Sequence, residues 1–119
     1  MPNANLVKGA RAEETVARGL RERGFPGAER MRVKHPDRGD IGGLLDWTIE
    51  IKNIGREDLA ASMDQLRRAQ STAGTPWGVL VKQRRNHGVG RWYWVMEFDQ
   101  GATMAALLDT VAVAERSAS

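Results

Sequence analysis

Apolar positions recur at helical spacing from the start of the chain. Gly9, Glu13, Val16, Ala17 and Leu20 fall on one face and Gly24 supplies a stop, which predicts a helix over residues 7–23. Arg11, Glu14, Arg18 and Arg21 lie on other faces, with Glu14 four residues before Arg18, a spacing that suits an ion pair. The period then changes. Residues 28–33 predict a strand, followed by the turn-rich run His35-Pro36-Asp37-Arg38-Gly39. Residues 40–44 predict a second strand, interrupted by Gly42-Gly43. Residues 47–52 predict a third, with Trp47, Ile49 and Ile51 on one face and Thr48, Glu50 and Lys52 on the other. After a loop at 53–57, a helix is predicted over 58–73, with Leu59, Met63, Leu66 and Gln70 in register and Gly74-Thr75-Pro76 ending it. Residues 77–82 are continuously apolar up to Lys82, the pattern of a buried sheet centre. A basic, glycine-containing hairpin loop at 83–90 leads into a strand over 91–98. A last helix is predicted over 103–115, with Met104, Leu107, Leu108 and Val111 on its apolar face, and the tail at 116–119 is expected to fray.

The predicted order is helix, three strands, helix, two strands, helix. That order implies an α/β fold, a mixed five-stranded sheet flanked by helices, and no linker divides the 119 residues into more than one domain. No apolar run approaches a bilayer span and the N-terminus lacks a hydrophobic leader, so an intracellular, non-membrane location is expected.

Composition narrows the chemistry. There is no cysteine, which removes disulfides, thiol catalysis and thiolate zinc sites together. The two histidines, His35 and His87, are too few for a histidine-rich metal centre. Any metal must then be held by oxygen, which favours a hard cation such as Mg²⁺. The net charge of +3 is a mild excess, with arginine outnumbering lysine. That bias suits phosphate recognition, and a GC-rich genome produces it equally well.

Three acidic positions stand out. Glu13 lies within the apolar stripe of the first helix, where a carboxylate is either paired, bound to metal or reaching water at the edge. Glu50 and Lys52 project from one face of the third strand, roughly 7 Å apart along the chain; a simple salt bridge on a half-exposed strand would look the same. Asp40 opens the strand that should pair with the Glu50 strand. The two carboxylates share a face only if the hairpin register gives them matching parity. A two-residue turn at Leu45-Asp46 would set Asp40 opposite Ile51. A three-residue turn, or a bulge at Gly42-Gly43, would correct the register.

Taken in order, these residues resemble the PD-(D/E)XK nuclease superfamily, and within it the archaeal-type Holliday junction resolvases and their phage relatives. Lys8-Gly9-Ala10-Arg11-Ala12-Glu13 is similar to the family's Lys-Gly-x-x-Ala-Glu opening, Gly39-Asp40-Ile41 to its metal-binding aspartate, and Glu50-Ile51-Lys52 to its Glu-x-Lys signature. The likeness continues through Gln65-Leu66-Arg67-Arg68 and the strand pair after Pro76, covering residues 8–98. The literal Pro-Asp falls at Pro36-Asp37, in what reads as a β-turn, so Asp40 is preferred to Asp37 as the ligand.

The resemblance implies a restriction-endonuclease-like core and hydrolysis of DNA phosphodiesters, with Glu13, Asp40, Glu50 and Lys52 as the catalytic set. Asp40, Glu50, the Ile51 carbonyl and Glu13 would hold Mg²⁺, with Mn²⁺ able to substitute, while Lys52 would orient the attacking water and offset negative charge. Gln65 is a possible accessory residue. DNA phosphates would be met by Lys8, Arg11, Lys34, Arg38, Arg67, Arg68, Lys82, Arg84 and Arg85, with His87 nearby. Resolving a four-way junction takes two symmetric cuts, which implies a homodimer. Trp92, Trp94, Met104 and Leu108 could supply its interface or could be ordinary core. Alternatives on the same fold are a nuclease acting on duplex or repair substrates, and a DNA-binding module without catalysis.

Overall fold

The computed structural model describes residues 4–31, 39–52 and 58–118, with residues 4–7 described in their backbone only. Helix α1 (Ala4–Arg21) leads to the short strands β1 (Glu29–Arg30) and β2 (Ile41–Gly42) and the longer β3 (Trp47–Lys52). Helix α2 (Leu59–Ala73) crosses to β4 (Trp77–Lys82), and a 3-10 turn at Val89–Arg91 precedes β5 (Tyr93–Val95) and helix α3 (Phe98–Ala118). The element order is the one the sequence predicts, and β3 and β4 keep their predicted bounds.

The pairing differs from a single five-stranded sheet. Among the described residues, β1 and β2 form an antiparallel pair of their own, and β3, β4 and β5 form a second sheet in that order. Strands β3 and β4 run parallel, as a crossover through a helix requires, and β5 returns antiparallel to β4. The separation has a local cause. The Ile51 N–H is satisfied by the Asp40 side chain at 2.8 Å rather than by a backbone carbonyl of the neighbouring strand. Asp40 donates its own N–H to Ile49 O at 2.8 Å, so it closes the β3 edge without extending the ladder. Just beyond, Gly43 takes φ +80° with its α-carbon against the Gly27 carbonyl, which turns β2 away after two residues.

Two layers cover the three-stranded sheet. On one side Val16, Ala17 and Leu20 of α1 pack with Ile41, Ile49, Val79 and Val81. On the other, Leu66 and Ala69 of α2 are buried over the face that carries Thr48, Glu50, Gly78 and Leu80. The face expected to be half-exposed is therefore covered, and Thr48 bonds Thr75 through their hydroxyls at 2.6 Å. Helix α2 is bounded as its sequence dictates. The Asp58 carboxylate accepts the Ala61 N–H at its start, and Gly74 in the left-handed region (φ 71°) returns its N–H to Gln70 O.

The last two elements depart from expectation. Strand β5 is three residues long instead of eight, and α3 begins at Phe98 rather than near residue 103. The early start follows from a tertiary contact. The Gln100 side chain accepts the Gly78 N–H at 2.8 Å and exchanges amide hydrogen bonds with Gln70 at 3.1 and 3.3 Å, which fixes the first turn against the sheet. Beyond that turn α3 leaves the body, and none of its residues is buried. Met104 and Leu108 are thus not core, and Trp94 is about half exposed. The predicted pair Glu14–Arg18 is also replaced, since Glu14 bonds Arg21 at 3.0 Å.

Candidate functional site

The site is built around β3. Within an extended strand a residue's N–H and C=O point to the same edge, and alternate residues point to opposite edges. Lys52 O accepts from Gln83 on the β4 side, whereas Ile49 O and Ile51 N face Asp40. The Ile51 carbonyl therefore opens on the edge occupied by the Asp40 carboxylate. Asp40 straddles Glu50, bonded to the peptide groups on either side of it. Ile41 and Ile49 both enter the α1-side core, so their neighbours Asp40 and Glu50 share the opposite parity. Asp40 meets the Ile51 N–H through its side chain and not as a ladder partner.

Glu50 is buried on the α2 side at 8% exposure, beside Leu80 of β4. The residues buried on that face beside it are Thr48, Leu66, Ala69 and Leu80. Lys52 lies at the end of the same strand, directly beside Lys82 of β4. Adjacent strands stand about 4.8 Å apart. Like charges at directly paired positions of neighbouring strands are unfavourable. The two lysines sit at the carboxyl ends of two parallel strands, the usual location of ligands in α/β sheets.

Glu13 lies in the other layer, on the α1 side of the sheet. It is buried at 8% exposure on α1 and meets Arg30 Nε at 3.4 Å. Arg30 pairs across the β1–β2 ladder with Ile41, the residue after Asp40, and Met31 donates its N–H to Asp40 O at 3.0 Å. Asp40 is thus joined directly to the Glu50–Ile51 segment, whereas Glu13 connects through Arg30 and the β1–β2 pair. Among the described residues no three His, Cys, Asp or Glu side chains gather into a group that could hold a metal ion.

The candidate nucleic-acid contacts are spread over several elements. Lys8 and Arg11 are exposed on α1, and Gln65, Arg67 and Arg68 are exposed on α2, with Arg67 reaching Glu97 at 3.7 Å. Past Lys82, Arg84 lies over the Tyr93 ring at 6.0 Å, and Arg85 and His87 are exposed. The loop that carries them is fixed by the Trp92 indole, which donates to His87 O at 2.9 Å. Lys34, Arg38 and the alternative ligand Asp37 lie outside the described residues. Sequence reasoning did not single out the pairing of Lys52 with Lys82. The parallel register that sets them side by side is a long-range feature, and its only local trace is a lysine closing each strand.

No family model matches the chain, and no curated protein or solved structure matches it. Among the described residues no helix is long and apolar enough to cross a membrane.

Proposed function

We propose that the chain is a metal-dependent DNA endonuclease with a restriction-endonuclease-like core, acting on branched DNA in the manner of a Holliday junction resolvase. The observation that carries this is the Asp40 carboxylate bonded at 2.8 Å to the Ile51 N–H, which sets an aspartate beside the Glu50-Ile51-Lys52 segment. The helix–strand order and the parallel β3–β4 crossover support it further.

The donor set fits a hard divalent cation: every available ligand is oxygen, and the Ile51 carbonyl opens on the same edge as Asp40. Asp40, Glu50 and that carbonyl would hold Mg²⁺ or Mn²⁺, while Glu13, on the α1 side, is engaged by Arg30. When bound, such a cation supplies a polarised phosphoryl oxygen and a more acidic water. The chain's own cations do the rest. Lys52 offsets charge that grows on the phosphate as the new bond forms. Lys82, alongside it, holds the same or the neighbouring phosphate, since an anion between the two ammonium groups relieves their repulsion. The half-buried Asp40–Ile51 contact holds the strand edge in place during this, so that positioning needs little reorganisation.

A second reading, a DNA-binding module without catalysis, draws on the engagement of Glu13 by Arg30 and on the two-lysine anion site, which needs no metal. Incubating the protein with a synthetic four-way junction, linear duplex and single strands, with Mg²⁺ or with EDTA, separates the two. Paired metal-dependent nicks in the junction support the resolvase. Sequence-preferring duplex cuts point to another nuclease of the same type. Tight junction binding with no cleavage in either buffer supports the module.

A further inference from the structure

One row of positions crosses the whole main sheet at its Lys52 end. Lys52 pairs with Lys82 in parallel register, and Lys82 pairs with Tyr93 in antiparallel register. Directly paired residues share a face, so Tyr93 stands on the face of the two lysines. The next row has the opposite parity. Val81 is paired with Trp94, whose ring meets Trp47 at 5.6 Å on the other face. Two strand spacings put Tyr93 about 10 Å from Lys52 along the row. Among the described residues β5 is the outer strand of this sheet, and Tyr93 is 51% exposed on it.

The ring has a fixed cation beside it. Arg84 Cζ lies 6.0 Å from the ring centroid, at the outer limit of a cation–π contact. Arg84 begins a closed turn. The His87 N–H donates to Arg84 O at 3.3 Å, Asn86 takes the left-handed region at φ 63°, and the Trp92 indole donates to His87 O at 2.9 Å. Tyr93 and its cation are therefore presented by a hydrogen-bonded turn and a strand rather than by a loose loop.

We infer that Tyr93, backed by Arg84, is a stacking platform for an unpaired base of a DNA strand whose phosphate lies at Lys82. The inference deepens the nuclease reading and rests on its phosphate site. An exposed aromatic ring next to cations is the arrangement that receives single strands: the ring covers the π-face of a base while the cations meet the backbone. Lysine contacts to phosphate carry no such preference, since every nucleic acid offers them. A base inside a duplex is stacked on both faces and reaches Tyr93 only by leaving the helix, which costs its pairing. The platform therefore selects DNA in which the nucleotide beside the held phosphate is already unpaired, as at a flap, a fork or an open crossover. It makes Tyr93, which contacts no phosphate, the residue that tells such DNA from intact duplex.

The test is binding in EDTA, which does not depend on cleavage. Anisotropy reads the affinity of wild type, Tyr93→Leu and Tyr93→Phe for a labelled single strand and for a duplex of the same sequence, each protein being checked by its thermal melt. Tyr93→Leu keeps an apolar side chain without a π-face. It should weaken single-strand binding by about 5- to 150-fold, the range for loss of one base–aromatic stack, and leave duplex binding unchanged. Tyr93→Phe should bind as wild type does. A single strand carrying iodouracil, which couples on irradiation to an aromatic ring stacked on it, should crosslink to Tyr93 when mapped by peptide mass spectrometry. Unchanged single-strand affinity in Tyr93→Leu overturns the platform, as does a crosslink at Trp92, Trp94 or Phe98 instead, or a wild type that binds no single strand. If Tyr93→Leu fails to fold, the wild-type crosslink decides alone. A Tyr93 crosslink in a protein that never cuts counts against the nuclease chemistry and for the platform. Junction cutting without that crosslink removes the platform and spares the nuclease reading.

Discussion

The Asp40 carboxylate accepts the backbone N–H of Ile51 at 2.8 Å, and with the Asp40 N–H donated to Ile49 O it joins the β1–β2 pair to the edge of the main sheet next to Glu50. It gives Asp40 both a structural and a chemical role, which different substitutions separate. Asp40→Asn keeps an acceptor for the Ile51 N–H, so denaturant unfolding should change little while cleavage falls by at least ~100-fold, the cost of losing one preorganised charged group at a reaction centre. Asp40→Ala leaves the part-buried N–H unpaired and should cost a further ~1–3 kcal/mol of stability. If Asp40→Asn cleaves at the wild-type rate, Asp40 is structural only.

The Lys52–Lys82 pair makes a prediction with opposite signs for folding and binding. Lys82→Ala removes a like charge from a directly adjacent strand position and should raise stability by ~0.2–1 kcal/mol. The same change should weaken junction binding at all sequences and lower the slope of log K against log salt by about one. Filter binding over a salt series, beside a chemical melt, reads both. A variant that loses stability and keeps its salt slope would show that Lys82 packs and does not bind phosphate.

Much of the fold is legible in the sequence, and the misses share a cause. Strands β3 and β4 are bounded by unbroken patterns and by turn residues, so their limits follow from local chemistry alone. The N-cap Asp58 and the terminating Gly74 do the same for α2. The run Arg91 to Phe98 reads as one long strand because its aromatic residues suit a sheet. The strand stops at Val95 and Phe98 already opens α3, whose first turn is held by Gln100; its partners Gln70 and Gly78 are distant in sequence and leave no local trace. Of the site, the burial of Glu13 shows in the helical stripe and the parity of Glu50 with Lys52 in the alternation. The engagement of Glu13 by Arg30 is invisible to periodicity, because it depends on how the β1–β2 pair leans on α1. The same holds for the division into two sheets, at whose boundary the Asp40 side chain takes the Ile51 N–H.

The Gln70–Gln100 exchange should be the joint that sets the direction of α3. Gln100→Ala leaves the Gly78 N–H and the Gln70 Oε1 without their Gln100 partners in a part-buried setting, while Gln70 Nε2 keeps Thr75 O, at a cost of ~1–3 kcal/mol. Amide hydrogen exchange should show lost protection in the first turn of α3 and at Gly78, with little change in α1. Equal loss across the whole chain would mean that the amide pair supports the core in general.

Gly43 should tolerate no side chain. Its φ of +80° is costly for any L-residue, and an added β-carbon would meet the Gly27 carbonyl. Gly43→Ala is expected to destabilise by at least ~1–3 kcal/mol, with the backbone displaced where β2 turns away. The denaturation midpoint checks the first part. Because Asp40 follows the same hairpin, cleavage should fall together with stability, whereas Gly24→Ala, also at positive φ but with open space around it, should affect stability alone.

If Asp40, Glu50 and Lys52 form a phosphodiester-cleaving centre, the rate of four-way junction nicking in Mg²⁺ depends on all three. Wild type should nick the junction, and Glu50→Gln, which keeps the shape of the buried side chain but not its charge, should bind the junction and leave it whole. Wild-type nicking that persists undiminished in Glu50→Gln, or a folded wild type that nicks nothing in Mg²⁺ or Mn²⁺, would contradict the account.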